Sequence, residues 1–241
     1  MALHDGTIEA FLAKYVSNNM VLSFGTGKES TKFVKKLALK IEDEELDVSV
    51  VPTNHKIAEI LGDLGIKVVS INDKEIDLAV EFVDLVDKDF NFIEQESASF
   101  VRDKMIAQSA AELVVVAEKG NYGQKLFGSV PFEVCVFGWK RTLLQLEKLG
   151  NAKLREVGEK PFRTETSHYI IDVNVDEVYS LEDLEFQAKD IPGVLETGLF
   201  IGYADRVLLH DDKKMQMLSR LDYSKQDKVG PEKSLQGLIT L

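Results

Sequence analysis

Thiols are almost missing from this sequence: Cys135 is its one cysteine. A lone thiol closes no internal disulfide and builds no cysteine-based zinc cage, which points to a reducing, cytoplasmic setting. Histidine is scarce too, and His4, His168 and His210 are too scattered to form a ligand set, so no metal site is expected. No apolar run approaches the roughly 18 residues of a membrane span, and a membrane partner is therefore not expected. The opening stretch MALHDGTIEAFLAKYV lacks the basic start, apolar centre and small-residue cleavage site of a signal peptide. Positive charge is also in deficit, with 29 Lys and Arg against 41 Asp and Glu and a formal net charge of −12. Nucleic-acid binders need a basic face, so no nucleic-acid partner is expected. What remains is ordinary: 44% of residues are hydrophobic, which excludes global disorder. The length suits one large domain, or a main domain with a smaller companion. The expectation is an acidic cytoplasmic protein that handles a small molecule.

The first half alternates helical and strand patterns. Ile8, Phe11, Leu12, Tyr15 and Val16 follow helical spacing over residues 5–17. MVLSF (20–24) reads as a buried strand ending at Gly25 and Gly27. Phe33, Val34, Leu37, Ala38 and Ile41 mark the next helix, LDVSVV (46–51) a second strand, and Ile57, Ile60, Leu61 and Leu64 another helix. KVVSI (67–71) and IDLAVEFV (76–83) continue the strand series, so the order predicts parallel strands with right-handed crossovers. A helix follows residue 97 with Val101, Met105 and Ile106 as its inner face, and ELVVVAE (112–118) is the most strand-like stretch.

From Pro131 the pattern changes. FEVCVF (132–137), a helix with Leu143, Leu144, Leu146 and Leu149, HYIIDVNV (168–175), a helix over 181–190 and VLETGLFI (194–201) form an α+β series. They predict a small subdomain of two helices on an antiparallel sheet, with ADRVLLHDD and MQML returning to the main sheet.

Chemistry is expected in three places. The loop SFGTGKEST (23–31) follows the first strand, where Gly25 and Gly27 permit close backbone approach. The helix behind it would aim free N–H groups at an anion, with Thr26, Lys28, Ser30 and Thr31 adding donors. A phosphate site and an ordinary tight turn both fit that spacing. PTNHKIAEIL (52–61) is a second strand-to-helix junction, whose Thr53, Asn54 and His55 could line the same cleft. Carboxylates crowd Glu81, Asp84, Asp87, Asp89, Glu94, Glu96 and Asp103, which suits acid–base work or cation binding and equally a solvated acidic loop.

Several stretches together resemble the ribose-5-phosphate isomerase type A family. PFEV (131–134), Leu149-Gly150, YIIDV (169–173) and IPGVLETGLFIGYADRVLL (191–209) follow that family's pattern in order. VPTNHKIAEILGDLGI (51–66) resembles its V-P-T-S segment and GTG (25–27) its phosphate loop, so the similarity spans roughly residues 5–218. The resemblance implies an α/β fold: a Rossmann-like parallel-sheet main domain over 1–130 and about 201–220, with a smaller α+β, ferredoxin-like lid subdomain over 131–200. Residues 221–241 would be an extension. It also implies a homodimer or homotetramer that binds a small sugar phosphate. The implied reaction is a metal-free and cofactor-free interconversion of ribose 5-phosphate and ribulose 5-phosphate.

The motifs carry substitutions. The family's D-G-A-D-E falls on Glu81 to Leu85, keeping Asp84 and changing Glu81 conservatively. Its K-G-G-G falls on Glu94-Gln95-Glu96-Ser97, its R-E-K on Arg102-Asp103-Lys104, and its D-x-S-K on Glu118-Lys119-Gly120-Asn121. The resemblance thus makes Asp103 the proton-abstracting base, one methylene short, with Asp84 and Glu81 positioning sugar oxygens. Gly25, Thr26, Gly27, Lys28, Ser30 and Thr31 would hold phosphate. A carboxylate in place of a lysine about 6 Å from an anionic substrate costs roughly 3 kcal/mol at an effective dielectric near 20. Lys28 and Lys119 are the candidates to restore charge, and a Glu94 turned outward would relieve it. Two expectations follow: an isomerase with weakened activity, or a non-catalytic sugar-phosphate-binding or regulatory relative.

Overall fold

The computed structural model describes residues 3–83, 85–123, 125–126, 128–175, 180–211 and 215–220. Asp84 and the expected extension over 221–241 lie outside the described residues. In chain order the elements begin with α1 (Asp5–Tyr15), β1 (Val21–Phe24), α2 (Lys28–Glu44), β2 (Ser49–Pro52), α3 (His55–Asp63), β3 (Lys67–Val68) and β4 (Leu78–Phe82). Next come β5 (Phe92–Ile93), α4 (Phe100–Ser109), β6 (Leu113–Glu118), β7 (Gly128–Val134), α5 (Trp139–Leu146) and β8 (Asn151–Leu154). The chain continues with β9 (Glu156–Val157), β10 (Lys160–Pro161), β11 (Tyr169–Val175), α6 (Leu181–Lys189), β12 (Val194–Thr197), β13 (Leu199–Phe200), β14 (Arg206–His210) and β15 (Met215–Ser219). Taken over the described residues, it divides into two compact units. One comprises Met1–Asp84, Ile106–Tyr122 and Tyr203–Leu241, the other Leu85–Met105 and Gly123–Gly202.

The first unit holds a seven-stranded sheet in the order β15-β14-β6-β4-β1-β2-β3. Its strands run parallel except β15, which pairs antiparallel with β14. Central strands are buried along their length: Leu113 through Ala117 of β6 are all inside, which is why they read as an unbroken apolar run. Helices α1 and α2 supply Ile8, Phe11, Leu12, Phe33, Val34 and Leu37 to one core with Leu22, Val80 and Val116 of the sheet. Phe33 meets Phe11 and Phe82 edge-on, with ring centroids 5.5 and 5.1 Å apart.

The second unit centres on a four-stranded antiparallel sheet in the order β12-β7-β11-β8. With α5 after β7 and α6 after β11, this is the β-α-β-β-α-β arrangement of ferredoxin-like folds. Its core gathers Val130, Phe132, Ile171 and Val173 from the sheet with Leu146, Leu184 and Ala188 from the helices. The α/β class with a parallel sheet and a ferredoxin-like second unit is the one expected.

Several element details differ from the sequence reading, which places no strand at β5, β8, β9 or β10. The strand expected over 132–137 starts at Gly128 and stops at Val134, and Phe137 stands 93% exposed. Gly138, with φ +72°, then turns the chain into α5, a conformation that favours glycine. VLETGLFI is two strands, split at Gly198, where an added Cβ would meet the Glu94 carbonyl oxygen and Pro131 at 2.5 Å. KVVSI gives only the two exposed residues of β3. In α4, Ile106 is buried as expected but Met105 is 53% exposed, and the main buried stripe is Phe100, Asp103, Lys104 and Ala107. That stripe keeps i, i+3, i+4, i+7 spacing but contains two charges, so an apolar template misplaces the face.

Candidate active site

In the first unit, β1 ends at Phe24 and the chain runs through Gly25-Thr26-Gly27 into α2. The Gly25 N–H donates to the Val80 carbonyl at 2.8 Å, which draws the loop against β4. Glu81 follows Val80 and is buried, with its carboxylate lying against Gly25 so closely that any Cβ there would collide with it. A side chain at 25 would have to displace the Glu81 carboxylate. Gly27 has φ +130° and precedes the first turn of α2, whose free N–H groups and dipole favour an anion. Ser30 is fully buried in that turn, and its hydroxyl has no hydrogen-bond partner among the described residues. Thr31 is half-buried; Lys28 opens the helix.

The second junction joins this loop. The Asn54 side-chain amide donates to the Thr26 hydroxyl at 3.1 Å, while Asn54 Oδ1 caps α3 by accepting the Ile57 N–H at 2.9 Å. Thr53 donates to the Phe24 carbonyl at 2.9 Å. His55, one residue on, is exposed at the helix start. Thr53 and Asn54 thus tie this junction to the end of β1 and the glycine loop.

Asp103 belongs to the second unit, in the first turn of α4, and is 1% exposed. Its Oδ2 accepts a hydrogen bond from the Ser97 hydroxyl, and its Oδ1 is buried without a hydrogen-bond partner among the described residues. Ser97 in turn accepts the Ser99 N–H at 2.9 Å, and the Asp103 N–H donates to the Ser99 carbonyl at 3.1 Å. Burial pushes the Asp103 carboxyl up to about 7, helped by the nearby Glu133 and Glu165 carboxylates and opposed by the Ser97 hydrogen bond and the Arg102 charge. A carboxylate tuned to that range can take and return a proton near neutrality.

Glu133, which sequence reasoning passed over, sits fully buried next to the C-terminal end of β7. It accepts hydrogen bonds from the hydroxyls of Ser99, Thr164 and Thr166 and from the Val101 N–H, with His168 Nδ1 at 3.0 Å. The available signal was an acid inside an apolar strand pattern, matched by the Thr164–Thr166–His168 run.

The flanking charges are also committed. Lys104 reaches Glu185 and Glu196 at 2.7 Å each, and Arg102 reaches Glu165 at 2.5 Å. Glu94 is buried and does not turn outward. Asp87 is committed to its own turn, where it accepts the Asp89 and Asn91 N–H groups at 2.8 Å. Lys119 is exposed in a short 3₁₀ turn, Lys119–Asn121. Among the described residues no group of His, Cys, Asp and Glu is arranged to hold a metal ion, and no helix is long and apolar enough to cross a membrane.

The profile of the ribose 5-phosphate isomerase A (phosphoriboisomerase A) family matches residues 49–214. Ribose-5-phosphate isomerase A 2 of Oceanobacillus iheyensis is 32% identical over 211 residues, covering 86% of this chain and 94% of that protein. The structure of ribose 5-phosphate isomerase from Plasmodium falciparum has the same fold, with a TM-score of 0.84 at 23% identity over 90% of this chain and 97% of that one. A D-ribose-5-phosphate isomerase solved in complex with phospho-erythronic acid aligns with a TM-score of 0.81 at 27% identity, over 90% of this chain and 97% of that one. By sequence and by fold, this chain belongs to the ribose 5-phosphate isomerase A family.

Proposed function

We propose that this chain interconverts ribose 5-phosphate and ribulose 5-phosphate, with Asp103 as the proton-transferring base. The observation that carries the reading is the Asp103 carboxylate itself: buried, held by one oxygen, unpartnered at the other, and with its proton affinity raised to about 7. Asp103 removes the C2 proton of the open-chain aldose, and the electron pair moves to form the C1=C2 bond of an enediolate. Return of that proton to C1, with the O2 proton passing to O1, gives the ketose. Glu81 and Asp84 orient sugar oxygens or assist ring opening. The loop from Gly25 to Thr31 takes the phosphate on backbone N–H groups and the α2 dipole, with Thr26, Lys28, Ser30 and Thr31 as further donors. The relative that binds phospho-erythronic acid supports a phosphorylated small molecule as the ligand class. We place the protein in the cytoplasm and expect a homodimer or homotetramer.

A second reading, a non-catalytic sugar-phosphate-binding or regulatory relative, draws on Glu94. It is buried at a position where the family motif has lysine, and burial leaves its charge little chance of escape into solvent. The two readings part on one measurement: conversion of ribose 5-phosphate by the purified chain, beside Asp103→Asn. The isomerase reading requires turnover that falls by roughly 100-fold or more in the variant, with binding of ribose 5-phosphate retained. Binding without turnover, even at high protein concentration, selects the second reading.

A further inference from the structure

We propose that Ser97 is a positioning residue that fixes which oxygen of Asp103 takes the proton: it holds Oδ2, leaving Oδ1 to act. The inference rests on the reading of Asp103 as the base. The Ser97 hydroxyl has a single proton to donate. Its oxygen already accepts the Ser99 N–H at 2.9 Å, so the proton is directed to the other partner, Asp103 Oδ2. An oxygen that accepts from a fixed donor keeps its lone pair engaged in both protonation states of the acid. The exchangeable proton therefore resides on Oδ1, the atom with no hydrogen-bond partner among the described residues.

The support for Ser97 closes on the base itself. Ser99 receives the Asp103 N–H at its carbonyl, and its hydroxyl donates to the buried Glu133, which also accepts the Val101 N–H. The 97–99 segment is thus tied to the first turn of α4 and to β7. A short aspartate side chain has two rotatable bonds, and misplacement of a base by about 1 Å can lower rates by ~100-fold, so a fixed donor on one oxygen matters. The charged groups near Asp103 are Arg102 of its own helix, Glu133 of β7 and Glu165. Lys104, next in sequence, is directed to Glu185 and Glu196, and His168 to Glu133. Of these, none hydrogen-bonds Oδ1.

Steady-state isomerisation of ribose 5-phosphate across the acid and neutral range tests the inference, using Ser97→Ala and Ser97→Thr beside Asp103→Asn. Loss of a hydrogen bond to a charged acceptor should lower kcat in Ser97→Ala by on the order of tenfold or more, with KM little changed. The hydrogen bond favours the ionised acid, so the acid limb of the rate profile should move up by about one pH unit. Ser97→Thr, which keeps the hydroxyl, should restore both. Carboxyl NMR titration of Asp103 gives the same upward shift without reliance on turnover. If Ser97→Ala does not fold, Ser97→Cys takes its place, and a weak donor must still move the limb. An unmoved limb and wild-type kcat overturn the inference while Asp103→Asn stays inactive. Equal losses in the Ala and Thr variants on an unchanged profile also overturn it. Full turnover by Asp103→Asn, or none by the wild type, overturns the base assignment and the role of Ser97 with it.

Discussion

Each unit buries a glutamate in its sheet, and the two surroundings differ. In the parallel sheet, β6 buries Leu113 through Ala117 in succession, and the buried Glu81 of the neighbouring strand rests against the bare backbone of Gly25. In the ferredoxin-like sheet the interior strand β7 carries Glu133 at full burial, surrounded by hydroxyls, an N–H and an imidazole. Burying a carboxylate is expensive unless donors are in place, and Glu133 has them. Asp103 is different from both. It is buried with one oxygen hydrogen-bonded, and burial above all, with the nearby Glu133 and Glu165 carboxylates, raises its proton affinity. Within the second unit, then, one buried carboxylate is fully hydrogen-bonded and the other only on one oxygen.

That contrast can be broken from either side. The largest effect should come from Asp103→Asn, which removes basicity while keeping shape and should lower turnover by roughly 100- to 10,000-fold in a coupled assay. It should also stabilise the fold. The folded-state value of about 7 lies above the ordinary 3.8, so the stability linked to this group is full below 3.8 and lost as pH rises through 7. Thermal unfolding above pH 7 should therefore show a higher Tm for Asp103→Asn than for wild type, with the difference closing near pH 4. A variant that is less stable than wild type at high pH would count against a destabilising buried charge.

Glu133→Leu should follow, destabilising by about 3–5 kcal/mol in urea titration, because it strands several buried donors at once. Glu133→Gln should lose about 1–3 kcal/mol. Gly25→Ala should destabilise by about 1–3 kcal/mol through overpacking against the Glu81 carboxylate. Combining it with Glu81→Ala should return most of that loss, a coupling that a double-mutant cycle reads directly. Smallest is Phe137→Ser: the ring is 93% exposed, and its removal should change stability by less than about 0.5 kcal/mol.

Sequence patterns carried most of the parallel sheet because buried parallel strands write themselves as apolar runs between helical periods. The glycine loop and the P-T-N junction were legible for the same reason, since each closes a recognisable strand. Asp103 stood out from the other carboxylates of 81–103 only through family resemblance: α4 turns its two charges inward, the reverse of what an amphipathic template assumes. Ser97 was missed as a partner of Asp103 because a serine six residues ahead of a helical acid follows no helix or strand period, and Glu133 because its partners come from segments far away in sequence. Boundaries failed where tertiary packing decides them, as at Val134, where the strand ends before Phe137, and at Gly198, where two sheets demand a break.

The far edge of the seven-stranded sheet is β3, only Lys67 and Val68 long and exposed at both residues. Open backbone along a sheet margin invites docking by a foreign strand, and the hazard grows with the length of the margin. Two residues offer almost no template, and the lysine carries a charge that a passing apolar segment would have to desolvate. Brevity at this margin is a defence against aggregation: lengthening it with alternating apolar residues would leave the interior as it is and make the protein sticky.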